Sequence, residues 1–191
     1  MNDWEHRLKK VLEPILGQVD PRPELSAYHD MPCAIFRYPP EAEFAVRTEL
    51  TLLATRLEHR GKRITKISLA ECLQAALDAQ LPMGRLIEAE RSVGTPAAVD
   101  TVSEILSSYQ PLDRLVLERF PGDPDPTRDV VFIVRAGALF PVYRTSTLLE
   151  QLMGKVTVPA VLFYPGELDG VAGLKFMGVL DAEHNYRPKI F

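Results

Sequence analysis

The sequence predicts a three-layer α/β sandwich: a mostly parallel sheet of about five strands, helices on both faces, and an α-helical insertion. Three observations predict it. Residues 130–134 (VVFIV) and 158–164 (VPAVLFY) are unbroken apolar runs, the pattern of strands buried on both faces. Between them lies a helical stripe of Leu148, Leu149, Leu152 and Met153, so strand, helix and strand form a parallel βαβ unit with a right-handed crossover. An earlier succession, 33–38, 41–58 and 64–69, repeats the same order. We expect one α/β domain over 1–191, with an N-terminal helix at 3–16, a helical insertion at about 70–120 and the core βαβ unit at 129–167.

Taken in order, Trp4, Leu8, Val11, Leu12 and Ile15 line one face of a helix that Asp3 can cap and Gly17 ends. Its apolar face is expected to pack on the sheet. Residues 17–32 contain three prolines and read as loop. CAIFRY (33–38) is a short strand stopped by Pro39-Pro40, and Pro40 suits the first turn of the next helix. That helix should bury Phe44, Val46, Leu50, Leu53, Ala54 and Leu57. ITKISL (64–69) alternates like a strand. The insertion then holds helices over 70–80 (Leu73, Ala76 and Leu77 inward), from Pro82 to about 92, over 97–108, and after Pro111. Residues 121–129 (PGDPDPTRD) are a proline-rich loop before the central strand. Thr145 or Ser146 caps the following helix and Gly154 closes it. GLKFMGVL (173–180) reads as a further strand, and Tyr186, Ile190 and Phe191 are expected to anchor the terminus.

Composition excludes several function classes. A net charge of −4, from 22 basic and 26 acidic residues, lacks the basic footprint of a nucleic-acid binder. Cys33 and Cys72 stand far apart, as in a reduced protein with buried thiols. The first sixteen residues are charged throughout, unlike a signal peptide, and no apolar run approaches the roughly 18 residues that span a bilayer. A cytoplasmic protein is expected.

Chemistry-bearing motifs are scarce. GxxxxGK[ST], GxGxxG and GxSxG are all absent, and His6, His29, His59 and His184 are scattered. What remains lies after the two central strands, where open parallel sheets bind ligands and partners. Arg135 and Arg144 flank the loop RAGALFPVYR; Glu167 and Asp169 lie in PGELDG, read as a loop opened by the turn signal Pro165-Gly166. Two carboxylates so placed can bind a divalent cation or act as acid and base. The preferred reading is structural: an arginine–carboxylate pair fixing the two loops together. Phe140, Tyr143, Phe163, Tyr164 and Phe176 supply core or a partner surface.

The run VFIVRAGALFPVYRTSTLLEQL, then VPAVLFYPGELDG, LKFMGVL and NYRPKIF, resembles the BrxB family, the small component of BREX bacteriophage-exclusion systems. CAIFRYPPEAEFAVR fits that family's first βα unit. Where relatives carry Ser-His after the arginine, this chain has Thr145-Ser146-Thr147, which removes an acid–base candidate. The resemblance implies a non-catalytic adaptor or assembly subunit without cofactor or metal. Its partner would be another BREX protein, PglZ first and PglX or BrxC next. The family-like positions are Gly137, Phe140, Pro141, Arg144, Pro165, Gly166, Glu167 and Asp169. Arg144 would orient the loop through Glu167, with Phe140 and Tyr143 giving apolar contact. Two rival readings stand beside it: a metal-dependent hydrolase or nuclease using Glu167 and Asp169, and a DNA-binding accessory protein. A homodimer through the first helix is also open.

Overall fold

The computed structural model describes residues 2–26, 31–170, 173–183 and 188–191. Five strands run parallel in the order β2-β3-β4-β1-β6: β1 Cys33–Tyr38, β2 Arg63–Ser68, β3 Asp129–Val134, β4 Ala160–Asp169 and β6 Lys189–Ile190. A short β5, Gly173–Phe176, pairs antiparallel with the far end of β4.

The strand alternation feeds two cores, one on each face. Cys33, Ile35, Val131, Ile133, Ala160 and Leu162 point to one side, covered by the Leu69–Gln80, Leu112–Leu117 and Thr145–Leu152 helices. Ala34, Phe36, Val130, Phe132, Val161 and Phe163 point to the other, beneath the N-terminal helix and the Glu43–Glu58 helix. Continuous apolar runs follow in β3 and the parallel part of β4, which are covered on both faces, whereas the edge strand β2 keeps Arg63 and Lys66 exposed. Phe163 is central to the second core, with ring centroids 5.2 Å from Phe132 and 5.7 Å from Phe36.

The N-terminal helix forms with a π turn at Leu8–Leu12, between Asp3–Arg7 and Glu13–Leu16. It buries Trp4, Leu8, Leu12 and Ile15, so the sheet already occupies the apolar face that a homodimer would need; Val11 stays 40% exposed. Glu13 is buried too. Its carboxylate receives Arg56 Nε at 3.0 Å and Nη2 at 2.8 Å, with Arg60 Nη2 at 3.5 Å, which ties this helix to Glu43–Glu58.

Several expectations change. Phe44 is 77% exposed. The buried stripe Val46, Leu50, Leu53, Ala54, Leu57 follows steps of four, three, one and three, and Phe44, two residues before it, falls on the opposite side of the helix. The 17–32 loop contains a helical turn, Arg22–Leu25. Strand β5 ends at Phe176, because Met177 (φ 55°) and Gly178 (φ 68°) turn the chain in the left-handed region. Phe191 is buried and β6 pairs with β1, while Tyr186 lies outside the described residues. No helix among the described residues is long and apolar enough to cross a membrane.

Candidate functional site

The segment after β3 and the far half of β4 carry the candidate residues, and the structure divides them among three places. After Val134, Arg135 adopts a left-handed conformation (φ 62°, ψ 37°) and starts a 3-10 turn, Ala136–Leu139. A non-glycine residue held there is uncommon and costs backbone energy, so packing around it must maintain it. Pro165 of β4 and Met177, just past β5, pack beside this turn: a Cβ at Gly137 would meet Met177 Sδ at 3.4 Å and Pro165 Cγ at 3.5 Å.

The first place is a groove of about 260 Å³ where Arg135, Gly137 and Pro165 meet Phe44, Arg47 and Met177. The Arg47 guanidinium lies 5.6 Å from the Phe44 ring centroid. This juxtaposes an exposed aromatic ring with arginine and methionine, residue types that protein interfaces favour. Phe44, Arg47 and Met177 were not singled out by sequence; the helix stripe assigned Phe44 to the core.

The second place is the hairpin of β4 and β5. PGE is not a loop: β4 continues through Pro165 and Gly166 to Asp169. The parallel ladder with β1 ends at Tyr38↔Pro165, where a missing N–H is tolerated, and the strand then pairs with β5. A Cβ on Gly166 would lie 2.3 Å from the Lys175 carbonyl oxygen and 2.4 Å from Tyr164 Cε1. Glycine is demanded there by close packing. Glu167 and Asp169, two residues apart on a strand, share one face. Glu167 is exposed, and Asp169 Oδ1 pairs with Lys175 Nζ at 3.2 Å. Among the described residues no group of three or more His, Cys, Asp or Glu side chains is placed to hold a metal.

The third place is the start of the Thr145–Leu152 helix. Arg144 is its N-cap and pairs with Glu183, not with Glu167. The expected arginine–carboxylate link therefore joins this helix to the segment after β5. Phe140 packs edge-on against Phe176, centroids 5.9 Å apart, and Phe176 packs on Tyr164 at 5.3 Å. Pro141 is exposed and follows a cis peptide bond. Tyr143, expected to offer apolar contact, is 6% exposed and donates its hydroxyl to Gln151 Oε1 at 2.8 Å; burial pushes its phenol up to about 12. It belongs to the core.

The chain was compared with known proteins. The family described as BREX protein BrxB matches residues 65–190, which span β2 to β6 and all ten candidates while leaving out β1 and the N-terminal helix. A BREX protein BrxB from Bacillus cereus (strain H3081.97) is 28% identical over 155 residues, covering 80% of this chain and 79% of that relative. No solved structure matches. With the family pattern extending over well more than half its length, the chain belongs to the BrxB family of BREX proteins.

Proposed function

We propose that this chain serves its BREX system as a non-catalytic adaptor or assembly subunit, binding another BREX protein through the groove around Phe44. PglZ is the first partner to test, then PglX and BrxC. The observation that carries the reading is the exposed Phe44 ring, stacked by Arg47 and set beside Arg135, Pro165 and Met177 where three carboxyl-edge segments converge. An aromatic anchor flanked by arginines fits the composition of binding hot spots. A catalytic use of Glu167 and Asp169 has less support, because Lys175 already neutralises Asp169 and Arg144 engages a different carboxylate.

The test is co-purification with PglZ from the same operon, with mass measured by size-exclusion light scattering. Phe44→Ala and Arg135→Ala should leave the fold intact, since both side chains are exposed and alanine keeps the same left-handed backbone cost as arginine. Each should weaken the complex by about tenfold or more. A complex with undiminished affinity in both variants would refute the assignment of this groove.

A further inference from the structure

A second cleft lies beside that groove, where β1 leaves the sheet beneath the N-terminal helix. Its volume is about 590 Å³, and Asp3, Arg7, Arg37, Glu41 and Glu167 contribute to its lining. It sits outside the carboxyl ends of β1 and β4, the edge at which parallel sheets take ligands.

Two arginines share it. Arg7 places its guanidinium 5.2 Å from the Phe36 ring centroid and donates from Nε to Asp3 Oδ2 at 2.8 Å. Its side chain is only 17% exposed, and its Nη1 is buried without an acceptor among the described residues. Arg37 is half-buried, and among the described residues its guanidinium has no hydrogen-bond or ion-pair partner. Burial, and then the nearby Arg7 charge, disfavours its protonated form, with Asp3 giving partial relief. The Arg7 Nη1 is too buried for a ligand to reach, so Arg7 contributes its charge, whereas Arg37 is a partly desolvated cation whose unused donors are costly unless an acceptor completes them.

We propose that this cleft binds a small molecule through a single carboxylate or phosphate group held between Arg7 and Arg37. The size fits, since small-molecule sites occupy roughly 300–1,000 Å³. The remaining charges restrict the ligand class. Asp3, Glu41 and Glu167 surround the arginines and would repel a polyanion such as a nucleic-acid backbone. They favour instead a compact ligand that carries hydrogen-bond donors beside its one anionic group. The proposal does not rest on the adaptor reading, which uses neither Arg7 nor Arg37.

Inorganic phosphate and acetate are the probes, titrated at constant ionic strength into ¹⁵N-labelled protein and followed by heteronuclear NMR. Saturable shifts at the Arg37 and Gly166 amides are expected, and the tighter of the two anions identifies the ligand head group. Arg37→Gln should weaken that binding by about tenfold, while Glu167→Gln should strengthen it by removing a repelling charge. The second variant keeps the test decisive if the first folds poorly. Shifts that never saturate with either anion would overturn the proposal, as would identical titrations in the wild type and in whichever variants fold.

Discussion

Lys62→Met tests how far buried charge organises this fold. Lys62 follows the Glu43–Glu58 helix, is only 7% exposed, and opens the way into β2. Its ammonium donates to three backbone carbonyls: Gln18, Val19 at 3.1 Å and Thr127 at 2.8 Å. One side chain therefore pins the segment after the first helix to the proline-rich loop before β3. Methionine keeps the stem and removes the donors. Hydrogen bonds to a charged group contribute roughly 1.5–3 kcal/mol each net of the lost hydration, so three of them set an upper bound. Water reaching the freed carbonyls reduces the loss, and we expect a net destabilisation of about 2 kcal/mol. With a urea m-value of about 2 kcal/mol/M, the midpoint should fall by about 1 M at unchanged slope. Equilibrium unfolding can be followed by far-UV circular dichroism and by fluorescence of Trp4, the chain's single tryptophan. A midpoint equal to or above the wild type would refute the reasoning, since the carbonyls would then be satisfied without the ammonium.

Two further outcomes follow from the packing. Gly166→Ala should destabilise by about 1–3 kcal/mol, because its Cβ meets the Lys175 carbonyl and the Tyr164 ring at impossible distances; thermal unfolding checks this, and an unchanged midpoint would mean that β5 shifts freely. Stability should also decline in alkali. Burial raises Cys33 from 9.0 to about 12, Tyr143 from 10.0 to about 12, and also raises Cys72 and Tyr38, the last with Glu43 adding to the effect. The unfolded chain releases these protons first, so the stabilisation is complete below about pH 9 and is lost as pH climbs toward the folded-state values. Lys62, lowered by burial, opposes this with one group against four. Melting temperature under reducing conditions should fall steadily from pH 9 to 11, and less steeply in Cys33→Ala; a flat profile would contradict the burial argument.

The strands and their sidedness were legible because each is defined by its own residues. CAIF, VVFIV and AVLFY are apolar on successive positions only because both faces are covered, and the helix stripe from Val46 to Leu57 names its buried side by spacing alone. The carboxyl-edge position of the candidate residues and the family pattern of residues 129–191 were legible in the same way. Pairings made across the chain were not. Arg144 was expected on Glu167 and meets Glu183; PGE, which carries turn residues, stays extended because β5 lies beside it. Phe44 was assigned to the core for being apolar, although its place two residues before Val46 puts it opposite the buried stripe.

Local spacing thus determined the central strands and the main helices and, Phe44 apart, the buried side of the Glu43–Glu58 helix. Only the tertiary structure decided which charges are buried and what answers them. Glu13 meets Arg56 across 43 positions, Lys62 meets Thr127 across 65, and Arg7 comes to share a cleft with Arg37. The reason is physical: apolar burial is non-directional and leaves its mark as a periodicity along the chain. A buried charge needs a specific partner at hydrogen-bond distance, and that partner is supplied by whichever segment the fold brings there.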